Sequence, residues 1–328
     1  MTNREVGKKI GIIIGGSPEE IDYALKSAHD IEESLSKLGY QSITIYFDRN
    51  IIESLRKNGI NVAFILDATL IGPISDPSLV KSLRAILEEE NILYTGSKLD
   101  ASEIAKNKLA SKLVFLQYGL ITPKWVVINP TGIPNEEASK ILQKLNFPIV
   151  MKPRDEGSSV GIRLISNNRQ LVETITGMRE RFTHFFAEEY ISGIEVTVPV
   201  IDIGNETKAL TVIEIAHPEP IYSAGVKLRD LELAIEGNPS SIYHVPARLP
   251  REIYLYVQKC ALRVHKAVGC RGFSRVDIIV DHYNIPQILE INALPTLARK
   301  DFMAWSAKVE GIDYDSLVNE ILQNAYTK

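Results

Sequence analysis

Cysteine is almost absent: Cys260 and Cys270 are the two in 328 residues. Their spacing fits neither a zinc site nor a disulfide framework, so buried free thiols and a reducing cytoplasm are the expectation. Histidine gives no metal site either, because His29, His184, His217, His244, His265 and His282 show no ligand spacing. Neither sign of charge dominates. With 37 Lys and Arg against 41 Asp and Glu, the formal charge is −4. That gives no electrostatic reason to expect a nucleic acid or an anionic membrane as partner. The opening "MTNREVGKKIGIIIGGSPEE" has too short an apolar run for a signal peptide or a membrane span. Internal repeats and low-complexity tracts are lacking.

What is present is an ordinary globular composition, 45% hydrophobic and 24% charged. The length exceeds what one core usually serves, so several domains are expected. Over residues 1–100, the strands "KKIGIIIGG", "YQSITIYF", "NVAFILDA" and "ILYTGS" interleave with the helices "EEIDYALKSAHDIEESLSKLG" and "DPSLVKSLRAILEEEN". This alternation predicts a parallel α/β sheet with covering helices. Residues 101–190 read as a small α+β domain, opened by one helix over "DASEIAKNKLASKLVFLQYG". Residues 191–328 read as a second α+β domain, with strands "IEVTVPVID", "ALTVIEIA", "GFSRVDIIVD" and "QILEIN" and helices "REIYLYVQKCALRVHKAVG" and "DYDSLVNEILQNAYT". Between them runs "HPEPIYSAGVKLRDLELAIEGNPSSIYHVPARLP", a length of polar chain typical of functional lids.

Two of these strands carry polar residues at alternate positions. In "SRVDIIVD", Arg275 and Asp277 alternate with Val276 and Ile278; in "QILEIN", Glu290 and Asn292 alternate with Leu289 and Ile291. Joined through "HYNIP" as a hairpin, they would bring three oxygen donors and a guanidinium together. Carboxylates buried there without partners would be costly. A divalent cation removes that cost, and oxygen-only donors suit Mg²⁺. The structural alternative is an Arg–carboxylate network on an exposed sheet face.

Three further stretches have both a functional and a structural explanation. In "FPIVMKPRDEGSSVGIRLI", the tip Gly157, Ser158, Ser159 and Gly161 could cradle phosphate oxygens, with Lys152 supplying charge. An ordinary Gly-rich hairpin accounts for it equally. The same tip matches the nucleophile elbow G-x-S-x-G with Ser159 as nucleophile, but that elbow needs a strand-to-helix turn and "IRLI" reads as a strand. In "GGSPEE", Ser17 and Glu20 make a capping box and Pro18 takes the first helical position. Glu20 also lies where α/β sheets bind ligands. In "FFAEEYISGIE", Glu188 and Glu189 end a strand and Glu195 begins another; solvated acids at a domain boundary are the bland account.

In this order, the pieces resemble the ATP-grasp superfamily and, within it, the D-alanine–D-alanine ligase family. The likeness runs through "YTGS" (94–97), "KNKLASK" (106–112), "MKPRDEGSSVG" (151–161), "EEYISGIE" (188–195), "GCRGFSRVD" (269–277) and "EINALP" (290–295). It implies a three-domain architecture in which the α/β domain precedes two α+β domains that sandwich ATP. By the resemblance, Lys108 and Lys152 bind ATP phosphates under the 157–161 loop, including Gly157, Ser158 and Ser159. Glu188, Glu189, Tyr190 and Ile191 line the adenine pocket, and Glu195 takes the ribose hydroxyls. Asp277, Glu290 and Asn292 hold two Mg²⁺ ions, for which Mn²⁺ can substitute. Arg275 stabilises the acyl phosphate and the tetrahedral intermediate, Lys227 reaches the γ-phosphate from the lid, and Glu20 holds the first substrate's amino group. The resemblance also implies a homodimer.

The chain departs from the family pattern at the substrate positions. The stretch "ILDATLIGPISDPSL" lacks the family's His-Gly and Gly-Glu-Asp-Gly sequences. Leu228 follows Lys227 where a tyrosine is usual, which breaks a hydrogen-bonded trio with Ser158 and Glu20. Thr296 replaces a glycine whose N–H faces the oxyanion, Glu189 stands where lysine is common, and Asp301 replaces the serine that binds the second substrate's carboxylate. The expectation is an ATP-dependent carboxylate–amine ligase, acting on amino acids through an acyl phosphate, with one or both substrates changed. Alternatives are a genuine D-alanine–D-alanine ligase, a non-catalytic ATP-binding protein, and a serine hydrolase through Ser159. Retention of Arg275 speaks against mere ATP binding.

Overall fold

The structure, a computed structural model, describes residues 9–16, 21–71, 82–157, 159–217, 221 and 242–325. Glu20, Ser158 and Lys227, the 17–20 capping box and most of the expected lid lie outside these residues. The described chain opens with β1 (Lys9–Ile14), α1 (Ile21–Lys37), β2 (Gln41–Tyr46), α2 (Ile51–Asn58), β3 (Ile60–Ile65), α3 (Leu83–Glu89) and β4 (Leu93–Tyr94). Its sheet has the order β2-β1-β3-β4 with every pair parallel, as the β-α-β pattern predicts. Helix α2 is absent from the sequence-based expectation. Its 8 residues are short for a periodic signal, yet the chain needs a crossover there, because β2 and β3 both run parallel to β1. Gly59, at φ +63°, ends the helix in the left-handed conformation that glycine favours.

There follow α4 (Leu99–Lys106), α5 (Lys108–Gln117), β5 (Trp125–Val127), α6 (Pro134–Leu142), β6 (Ile149–Pro153), β7 (Arg163–Ile165), α7 (Asn168–Arg179) and β8 (Phe185–Glu189). These strands form an antiparallel sheet ordered β5-β8-β6-β7. The single helix expected from "DASEIAKNKLASKLVFLQYG" is two. Asn107 sits at ψ 100° between them, and its Oδ1 accepts from the backbone N–H of Leu109 and Ala110, each at 3.1 Å. An asparagine that caps α5 competes with continuing α4. The break starts a fresh helix at Lys108, whose N–H donates to Arg154 O at 3.1 Å.

The third sheet is the largest. It uses β9 (Gly193–Ile203), β10 (Glu206–Ala209), β11 (Ile213–Ala216), β12 (Ile242–His244), β13 (Phe273–Asp281) and β14 (Pro286–Asn292), with α8 (Arg251–Val268), α9 (Phe302–Val309) and α10 (Tyr314–Asn324) packed around it. The order is β12-β11-β9-β13-β14, and β10 pairs with β9. The strand expected over "ALTVIEIA" splits: β10 pairs with one end of β9 and β11 with the other. Strand β12, inside the segment read as a lid, and helix α9 are further unpredicted elements, and Asp301 is the N-cap of α9. Among the described residues no helix is long and apolar enough to cross a membrane.

One face of this sheet is core. Val196, Val198, Val276, Ile278 and Ile291 join Val257, Ala261 and Val264 of α8 in a buried cluster that also takes in Ala101, Ala105 and Phe115 of α4 and α5. A bulge after Asp277 shifts the pairing, so that Ile278 faces Ile288 while Asp277 faces Glu290. The extra residue is Leu289. Simple alternation assigns it to the core, but the structure buries Ile288 fully and leaves Leu289 half-buried. A second cluster joins β1 and α1 to α9, α10, Ile201, Leu210 and Phe273. Phe273 is fully buried there. Removing its ring leaves a cavity, so Phe273→Ala should cost about 3–5 kcal/mol. The urea midpoint should fall with the denaturant slope unchanged.

Candidate active site

The opposite face of the large sheet is polar. Cross-strand register puts Asp277 between Thr197 and Glu290, and Arg275 between Pro199 and Asn292. Residues two apart on a strand share a face, so Glu195 on β9 joins them. The four sequence-predicted residues of the hairpin therefore come together as expected. Arg275 grips Asp277 through both arms: Nε donates to Oδ1 at 3.0 Å and an Nη to Oδ2 at 3.1 Å. Thr197 Oγ1 donates to Asp277 Oδ1 at 2.6 Å. Asn292 Oδ1 accepts from Leu294 N–H at 2.9 Å, which turns the chain out of β14. Burial alone would lower the Arg275 pKa; the carboxylates of Asp277, Asp301 and Glu290 outweigh it and raise the pKa above its ordinary value.

The second predicted cluster faces this one from β6 and β8. Lys152 and Glu188 share a face of the small sheet on adjacent strands, diagonally across the register. Lys152 Nζ donates to Glu188 Oε1 at 2.5 Å. Glu188 is 1% exposed, which overturns the bland account of it as a solvated acid. A second cation reaches its other oxygen, with Lys112 Nζ 2.6 Å from Oε2. Burial would raise the Glu188 pKa, but the two lysines hold it below the ordinary carboxylate range. Helix α5 joins the two sheets. Lys108 at its start contacts Glu290 Oε2 at 3.2 Å and donates to Glu156 O at 2.5 Å. Lys112, four residues on, lies on the same helix face and turns to Glu188.

The Gly-rich tip joins β6 to β7 as an antiparallel hairpin. Val160 N–H donates to Gly157 O at 2.9 Å, and Ser159 adopts φ +60°. Gly161 is required twice: it sits at φ +74°, and a Cβ there would lie 2.6 Å from Phe182 Cζ and from Pro153 Cγ. No helix follows the tip, so the strand-to-helix geometry of a serine nucleophile elbow is not met and the hydrolase alternative falls. Glu189 is half-buried, and its N–H donates to Lys124 O at 2.9 Å. Tyr190 and Ile191 are half-buried on the loop beyond it. Glu195 Oε2 lies 3.0 Å from His217 Nε2.

Asp301 is buried rather than a surface acid. Its Oδ1 accepts from Phe302 N–H at 2.6 Å, and Oδ2 accepts from the hydroxyl of Thr296. The two unusual residues after "NALP" thus bond to each other. Thr296 does not take a positive φ, so a side chain is tolerated there without strain. Beside Asp301, Phe302 packs against Tyr243 and Trp305 with ring centroids 5.3 and 5.7 Å apart. The Arg275 guanidinium lies 5.9 Å from the Phe302 ring centroid. Sequence reading missed Lys112, Thr197 and His217. Lys112 had a visible signal in its i+4 spacing from Lys108; Thr197 and His217 had none, because their partners come from distant strands.

The arrangement sets lysines, a Gly-rich tip and oxygen donors around one region between two sheets, which suits a polyphosphate and a metal. Comparison with known proteins agrees. The family model "D-ala D-ala ligase C-terminus" matches residues 114–323. A D-alanine–D-alanine ligase of Carboxydothermus hydrogenoformans is 34% identical over 318 residues, covering 96% of this chain and 97% of the relative. One from Moorella thermoacetica is 32% identical, covering 97% and 99%. The crystal structure of a D-alanine–D-alanine ligase from Bacillus anthracis complexed with ATP superposes with a TM-score of 0.78 at 26% identity, covering 97% of each chain. The chain belongs to the D-alanine–D-alanine ligase family, and it is an ATP-dependent ligase that forms C–N bonds on the ATP-grasp fold.

Proposed function

We propose that the protein joins a carboxylate to an amine through an acyl phosphate, and that its second substrate is not D-alanine. The observation that supports the chemistry is Arg275, held by Asp277 beside Glu290 and facing the Lys152–Glu188 pair. A carboxylate is a poor electrophile at neutral pH, and phosphorylation by ATP supplies a leaving group. Lys108 and Lys152 would neutralise phosphate charge during transfer. Arg275 would then stabilise the oxyanion as the amine attacks. The donor set fits Mg²⁺: Asp277, Glu290 and Asn292 offer oxygen alone, each with lone pairs to spare. Among the described residues no group of three or more His, Cys, Asp or Glu is assembled, so phosphate and water oxygens would complete the coordination. When bound, Mg²⁺ would offset the charge that builds on the transferring phosphoryl group. Glu188, Glu189, Tyr190 and Ile191 would meet the adenine and Glu195 the ribose, under the tip at 157–161.

The substrate change rests on Asp301. Its carboxylate is buried and adds to the negative charge around Arg275. A substrate carboxylate brought close to it would be repelled by roughly 1–4 kcal/mol, depending on local dielectric. An amine without a carboxylate at that point, or one bearing a cation there, meets no such penalty. The full-length likeness to enzymes named D-alanine–D-alanine ligase favours the competing reading, in which both substrates are D-alanine.

Phosphate release from ATP, measured over a panel of amino acids and amines singly and in pairs, separates these readings. Pair-dependent release with a second substrate other than D-alanine is expected. A family-typical rate of D-alanyl-D-alanine synthesis would refute the substrate change. Asp301→Ser should raise turnover with D-alanine as second substrate by roughly fivefold to several hundredfold, the equivalent of the repulsion removed. Asp277→Asn and Glu290→Gln should each abolish Mg²⁺-dependent turnover while the chain still folds, as read by circular dichroism; retained turnover in either would remove the metal assignment.

A further inference from the structure

Lys112 is 1% exposed and lies behind the groups that would meet the nucleotide. Its Nζ sits 2.6 Å from Glu188 Oε2, donates to Thr122 Oγ1 at 2.6 Å, and has Pro123 O at 3.5 Å. Ringed by these three oxygens and almost fully buried, it is out of reach of a ligand. The Thr122 hydroxyl in turn donates to Ile288 O at 2.7 Å. Lys112 is thereby tied to β8 on one side and, through Thr122, to β14 just before Glu290 on the other.

Lys152 is placed differently. Among the described residues it donates to Glu188 Oε1 alone, and it lies at the foot of the Gly-rich tip. Two ammonium groups contact one buried carboxylate, and Glu290 and Glu195 act on Lys152 from farther away. An anion arriving beside Lys152 competes with Glu188 for its ammonium group. The same event draws Lys152 away from Glu188. A buried carboxylate stripped of its partner would then be left uncompensated, unless another cation stays.

We propose that Lys112 is the resident counter-ion of Glu188, a positioning residue that lets Lys152 turn from the carboxylate to the phosphates of the nucleotide. This rests on the reading of Lys152 and Glu188 as ATP-binding groups. Without Lys112, Lys152 becomes the only cation on Glu188 among the described residues and is held there, so nucleotide binding weakens although Lys112 touches no part of it.

The test is a double-mutant cycle read by direct ATP binding to the full chain, with the KM of each substrate measured alongside. Lys112→Met should weaken ATP binding tenfold or more while the KM values for the carboxylate and the amine stay within twofold. In a Glu188→Gln background, Lys112→Met should cost little further ATP affinity, because a neutral amide no longer pins Lys152. A merely structural role predicts instead that the two losses multiply. Thr122→Val keeps the charge and removes only the tether; it should give a smaller loss of the same kind, and it serves if Lys112→Met does not fold. Wild-type affinity in Lys112→Met, or multiplying losses in the cycle, would overturn the proposal; with Thr122→Val, an unchanged ATP affinity would do so. Failure of the unmodified chain to bind ATP would instead sink the ATP reading itself.

Discussion

Compensation of buried charge is the constraint on which this site depends. Glu188 is almost fully buried, Asp277 is largely so and Glu290 is partly open to water, and each carboxylate has a cationic partner. Arg275 serves Asp277, Lys108 serves Glu290, and Lys112 and Lys152 serve Glu188. Removing one member would leave a partner buried and unpaired, which costs more than the pair contributes. The β13–β14 register and the position of α5 follow from the same requirement. One aligns Asp277 with Glu290, and the other carries two lysines between the sheets.

The pairing of sheet faces makes such a site possible. The large sheet spends one face on the core with α8, so its polar residues can gather on the other. The small sheet buries Ile149, Met151, Phe185 and Ala187 in its own core and turns Lys152 and Glu188 the opposite way. Period-two alternation does this without special pleading at any single residue. The bulge at Leu289 modifies it locally, keeping Glu290 opposite Asp277 while Ile288 stays in the core.

Thr296 and Asp301 show how the pocket proposed to differ can remain well folded. Each gives the other a hydrogen-bond partner. Asp301 also caps α9, a role that aspartate fills as well as serine does. The helix therefore keeps its start with a carboxylate at that point.

Much of this was legible in the sequence. Alternation in "SRVDIIVD" and "QILEIN" determined which side chains share a face, and the β-α-β pattern determined a parallel first sheet, because side-chain period follows from backbone geometry alone. Short elements escaped: α2 and α9 have too few turns to show periodicity, and the break at Asn107 is a single capping residue within an otherwise helical run. The tertiary structure decided which charge meets which. Lys112 reaches Glu188 across 76 residues of chain and Thr197 reaches Asp277 across 80, distances at which spacing carries no signal. Local pattern sets where a side chain points, but the cost of burying it is settled by whatever the fold brings against it.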